Sequence, residues 1–178
     1  MSTHEHASVG AADEVRLLPA QRALALARIA LGFVFLWAFL DKTFGLGRST
    51  PSDKAWKFGS GTSPAAGYLS AVDGPFAWLF NPMAGHWWVD WPYMLGMLGV
   101  GIGLMTGLAF RFSAVVCCLF LAMFWMASLP LSTNPIIDDH VVSFVALIAI
   151  GAFAAMSLGM ISRRWSALTF VRSHSWLR

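Results

Sequence analysis

Charge is what this sequence has least of: Asp, Glu, Lys and Arg together make up 12% of its 178 residues, against about a quarter in an ordinary soluble domain. That scarcity excludes a water-facing surface over most of the chain, and 57% hydrophobic residues stand where charge would be. Cysteine is rarer still. Its two copies, Cys117 and Cys118, are neighbours in an apolar segment, so they cannot bridge each other and a disulfide framework is excluded. There is no CxxCH, no pair of histidines at helical spacing in the apolar segments, no GxGxxG after a strand and no P-loop. The chain therefore offers no visible means of holding haem, flavin, an iron–sulfur cluster or ATP, and no metal site is assigned to it.

What is present is long apolar sequence, and about twenty apolar residues cross a bilayer core. The pattern predicts an all-α integral membrane four-helix bundle over 22–162, with helices at about 22–44, 92–110, 112–129 and 139–161. Residues 1–21 are polar and lack hydrophobic periodicity, which predicts a mobile cytoplasmic tail; His4 and His6 flank Glu5 there, a weak metal pattern in a solvated segment. The first apolar run contains Arg28 and no small-residue cleavage site, so it reads as an anchored helix and not as a cleaved leader. Between the first two helices, 46–91 is rich in Pro and Gly and too long for an ordinary connection. Its short pieces PAAGYLSAV and PFAWLF suit the mouth of a bundle or the interface, and HWWVDWP supplies an aromatic belt ahead of Pro92, which is expected in the first turn of the next helix. The tail 163–178 is basic with spaced apolar residues, as expected of a segment on an anionic membrane surface.

The net charge of +3 belongs to segment ends and not to a patch, so it reports topology. With both termini inside, eight cations (Arg16, Arg22, Arg28, Arg111, Arg163, Arg164, Arg172, Arg178) lie inside and four (Lys42, Arg48, Lys54, Lys57) lie outside. The excess of inner cations predicts an N-in/C-in arrangement in a plasma membrane with 46–91 as an extracytoplasmic loop. At 100° per residue, Arg28, Gly32, Phe35, Phe39 and Lys42 share one face of the first helix, which should look into the bundle because charge facing lipid is costly. Gly99, Gly103 and Gly107 form a double GxxxG that serves packing within the bundle, with a homo-oligomer contact as the alternative.

Under this topology Asp41, Lys42 and Arg48 arrive at the outer edge together with Asn134, Asp138, Asp139 and His140. A cation near carboxylates and an imidazole in a poorly hydrated mouth can hold an anion or a polar head group, and His140 is the natural proton carrier, assisted by Asp139. The plain reading stands beside it: Asp138 and Asp139 cap the fourth helix, Lys42 and Arg28 snorkel, and His140 is an interfacial residue.

The ending FLWAFLDKTFGLG of the first helix, GSGTSPAAGYLS, the glycine-rich second helix and SLPLSTNPIIDDH, in that order, resemble the DoxX/DoxD family of small four-helix bacterial and archaeal membrane proteins over about 22–162. The resemblance implies a membrane subunit of a quinone-linked oxidoreductase, of which the thiosulfate:quinone type is one, with quinone as co-substrate. Some members of that family act instead as anchors of assemblies that include a sulfurtransferase. The resemblance assigns no residues; on placement and charge alone, in the first case Lys42, Asp41, Arg48, Asn134 and Asp138 would meet the substrate, while His140 and Asp139 would relay protons. In the second, the chain is a non-catalytic scaffold in the lipid with a partner subunit.

Overall fold

The structure is a computed structural model that describes residues 3–132 and 134–152, together with Leu168 and Val171. It is all-helical, with no strand among the described residues. The principal helices are α1 (Thr3–Phe44), α4 (Trp87–Thr106), α5 (Phe110–Ala127) and α6 (Asp139–Ala152), and two short ones, α2 (Ala66–Ser70) and α3 (Ala77–Phe80), lie in the long connection. The Pro19–Phe44 part of α1 and the whole of α5 are long and apolar enough to cross a membrane. α4 has 20 residues, about 30 Å of helix. The rest of the expected fourth helix, 153–161, and the basic tail 163–178 lie outside the described residues, Leu168 and Val171 apart.

Two boundaries differ from the sequence reading. α1 does not begin near Arg22 but runs back through Pro19 to Thr3. The added stretch is polar, which hides it from a search for apolar periodicity, yet it carries four Ala, the best helix former. α4 starts at Trp87, where the N–H groups of Val89 and Asp90 both donate to the His86 carbonyl at 2.9 and 3.1 Å. Pro92 therefore sits in the second turn and removes one backbone bond there, instead of opening the helix.

The core lies between α1, α4, α5 and α6. Phe35 and Phe39 from α1 meet Met94, Met97, Val100 and Leu104 from α4, Cys117, Phe120 and Leu121 from α5, and Leu147 and Ile150 from α6. Arg28 is buried on the same face of α1, as the helical spacing requires. α1 and α4 are the most closely joined pair, and glycine makes that approach possible. A methyl on Gly101 would stand 2.8–2.9 Å from the backbone N and Cα of Leu36, and one on Gly32 would stand 2.9 Å from the Met105 nitrogen.

The three glycines of the double GxxxG have three different surroundings. Gly107 ends α4 in the left-handed conformation at φ 76°, and a side chain on Gly103 would overlap the Ser113 hydroxyl of α5. Gly99 alone faces open space. The three glycines do not make one stripe, because Gly103 is committed to α5 and Gly107 to a helix end.

The connection 46–86 folds into a cap with a small core of its own. Ala65, Leu69, Val72 and Phe80 pack together and against Tyr93, Met126 and Ala127 at the ends of α4 and α5. The cap is tied to α1 as well: the Trp56 N–H donates to the Lys42 carbonyl at 2.8 Å, and the Trp56 ring meets Trp91 edge-on at 4.9 Å.

Candidate functional site

Asp41 is fully buried, and its carboxylate accepts from the Arg48 N–H at 3.2 Å, the Ser49 N–H at 3.0 Å and the Ser49 hydroxyl at 2.7 Å. It staples the turn that reverses the chain after α1. Both oxygens are engaged by the protein's own donors, which leaves no free edge for a substrate. Lys42 is half-buried, donates from Nζ to the Pro64 carbonyl at 3.2 Å and stands 6.0 Å from the centre of the Tyr93 ring. Arg48 is exposed, with its backbone N–H on Asp41. A dianion at Lys42 would compete with the Pro64 carbonyl for the ammonium. Asp41 with the backbone of 48–49 is thus a loop staple.

At the start of α6 the geometry differs. Asn134 Oδ1 accepts from the N–H groups of Ile136 and Ile137, both at 3.0 Å, in a local turn. Asp138 caps the helix, its Oδ1 accepting from the Val141 N–H at 3.1 Å. Its other oxygen lies 2.7 Å from Nδ1 of His140. Burial works against a charge on Asp138, but the hydrogen bonds from His140 and Val141 and the attraction of His140 outweigh it and hold the carboxyl below its ordinary value. Asp139 is 90% exposed and 3.6 Å from the same ring nitrogen, so it is a bystander and Asp138 is the orienting partner. The three side chains bring ligand-type atoms within 4.8 Å of one another, but Asp138 is already bonded to His140 and Val141.

With Nδ1 tied to Asp138, Nε2 is the nitrogen His140 has left for another molecule. The ring lines an apolar pocket of about 190 Å³ with Leu121, Ala122, Trp125, Val141 and Phe144. Phe124 packs on it at 5.6 Å between centroids, and the Trp125 N–H donates to the Ile136 carbonyl at 2.9 Å, fixing the rim.

The outer groups are brought to the same end of the bundle but not into one pocket. Tyr93 stands against Lys42, Phe124 stands against His140, and those two aromatic rings meet edge-on at 6.4 Å. Among the described residues no hydrogen bond or ion pair joins Lys42 to the Asp138–His140 couple.

Three side chains escaped the sequence reading. Trp125 and Phe144 form the pocket wall, and nothing in their local sequence separates them from core residues. Asp90 is buried in the first turn of α4 and accepts from the Ser63 hydroxyl at 2.7 Å. Its position in HWWVDWP, the one acid among three tryptophans, was the available signal, but its partner lies 27 residues away. Ser63 and Pro64 thus join Asp90 and Lys42 across the cap.

Comparison with protein-family models, with curated proteins and with solved structures finds no match to this chain.

Proposed function

We propose that this chain is a multi-pass plasma-membrane protein of DoxX/DoxD type, with four crossings and both termini inside, and that it is the quinone-binding subunit of an oxidoreductase. The observation that carries the reading is the Asp138–His140 couple on the rim of an apolar, aromatic-walled pocket. A quinone ring is planar and apolar apart from two carbonyl oxygens. It needs a slot without water and a hydrogen-bond donor that can also give up a proton. His140 meets both needs, because its unperturbed pKa near 6.5 suits proton exchange and Asp138 fixes which nitrogen faces the ligand. Reduction of the quinone takes two electrons and two protons. His140, as the imidazolium, delivers a proton to the carbonyl oxygen from Nε2 and takes up another from solvent for the second transfer; Asp138 stabilises the imidazolium before each transfer and holds Nδ1–H of the neutral ring after it.

The electrons come from outside this chain. If thiosulfate is the donor, two molecules join to tetrathionate and release the two electrons that the quinone takes up. Because the Asp41 carboxylate and the Lys42 ammonium are both engaged by the chain's own groups, the oxidation is assigned to a partner subunit. Membranes containing the protein and its partners should reduce a soluble quinone analogue when thiosulfate is added. His140→Ala should slow that reduction by about 10²-fold or more, the usual contribution of a general acid. Unchanged turnover in His140→Ala removes the proposal.

A scaffold role is the second reading, and one observation favours it: Asp41, Lys42, Asn134 and Asp138 each bond the chain's own backbone. A scaffold predicts stoichiometric partners in a pull-down from native membranes, lost on disruption of the 46–86 cap and retained in His140→Ala.

A further inference from the structure

A second cleft, of about 440 Å³, lies beside the cap on the other side of Phe124 from the His140 pocket. That volume lies within the roughly 300–1,000 Å³ of small-molecule sites. One wall is α5, from Val116 through Leu119, Phe120 and Met123 to Phe124, and the other is the cap with Tyr68 and the first turns of α4 with Trp88 and Tyr93. No charged side chain lines it. The distance from Val116 to Phe124 along the helix is about 12 Å, so the cleft is an elongated channel from mid-helix to the helix end. Leu119 and Met123 on its wall are themselves 60% and 40% exposed, so it opens at the face of a helix long and apolar enough to cross a membrane.

Its two ends differ. At the Val116 end every group is hydrocarbon. At the Phe124 end stand the Trp88 indole and the Tyr68 hydroxyl, which reaches the Phe124 carbonyl only at 3.5 Å. An O–H···O bond is ordinarily near 2.7–2.8 Å, so that hydroxyl is free to prefer a better acceptor. Water gains nothing in the apolar end, where it would lack partners. We propose that the cleft binds a lipid hydrocarbon chain lying along α5, with the lipid's hydrogen-bond-accepting head at Tyr68 and Trp88. The proposal does not depend on the quinone reading of the His140 pocket. A phospholipid acyl chain and a prenyl chain share the required chemistry.

Photo-labelling distinguishes the sources and tests the site. The full chain is reconstituted in lipid nanodiscs containing either a phosphatidylcholine with a diazirine in its palmitoyl chain or a prenyl quinone with a diazirine in its tail, and adducts are mapped by peptide mass spectrometry. The expected result with at least one probe is severalfold enrichment on Met83, Val116 and Met123 over Leu95, Ile102, Val142 and Val145. The last four are apolar and exposed but lie outside the cleft. Leu119→Trp, which fills the channel from its exposed wall and leaves the core untouched, should reduce cleft labelling severalfold without changing labelling elsewhere. Even labelling over all lipid-facing residues with both probes, or cleft labelling that Leu119→Trp leaves unchanged, overturns the proposal. Unchanged quinone reduction in His140→Ala with cleft labelling intact would remove the quinone reading and leave this site standing by itself.

Discussion

Asp138 has two tasks that two substitutions separate. Its Oδ1 caps α6 through the Val141 N–H, and its Oδ2 holds His140 Nδ1 at 2.7 Å. Asn is as good a helix cap as Asp, so Asp138→Asn keeps the first task and weakens the second, whereas Asp138→Ala loses both. Loss of the cap costs about 1 kcal/mol. The bond to His140 adds at most about 1 kcal/mol, since the side chains remain 25% and 13% exposed and water screens the charges. Asp138→Ala should therefore lower the unfolding midpoint in detergent by about 4–8 °C, and Asp138→Asn by half of that or less. The order reverses in meaning for activity: both variants should slow quinone reduction alike, because both release the imidazole from its fixed orientation. The acid side supplies a further check. A carboxyl held below its ordinary 3.8 contributes stability that is fully present above that value and is lost as pH falls through the folded-state value. Wild-type protein should lose midpoint temperature below about pH 4 more steeply than Asp138→Asn. Equal activity in wild type and Asp138→Asn would refute the orienting role, leaving Asp138 a cap and nothing more.

Other substitutions test the remaining assignments. Asp41→Ala orphans three donors and should cost roughly 2–4 kcal/mol in thermal unfolding, with Asp41→Asn intermediate; a variant that unfolds like wild type but loses activity would return Asp41 to a substrate role. Gly101→Ala should destabilise by about 1–3 kcal/mol because its methyl meets the Leu36 backbone, while Gly99→Ala should be neutral in the same melting experiment. Ser63→Ala removes the hydroxyl that Asp90 accepts from, and should cost about 1–3 kcal/mol and speed proteolysis of the cap.

Much of this architecture is written in local pattern. The apolar runs, the shared face of Arg28, Phe35 and Phe39 and the brevity of the helices in the cap follow from helical periodicity and from Pro and Gly positions. Capping at Asp138 is equally local, since donor and acceptor are three residues apart. What escaped depends on contacts distant in sequence. The Asp90–Ser63 bond and the aromatic wall formed by Tyr93 and Phe124 between Lys42 and His140 arise only when the cap docks. Convergence of charges at one membrane depth does not specify one pocket: rings of about 6 Å spacing are enough to separate them. The glycine spacing held for packing within the bundle at Gly103, which meets α5, but a repeat of four does not say which neighbour each residue will meet, or that Gly107 lies past the helix end.

The most direct measurement of the central claim is titration of the purified chain with decylubiquinone while following tryptophan fluorescence, since Trp125 shares the pocket with His140. The account predicts saturable quenching that loses its saturable part in Trp125→Phe and weakens in His140→Ala. Quenching that rises linearly with quinone and is identical in all three proteins would mean partitioning into detergent, and would contradict a quinone site at His140.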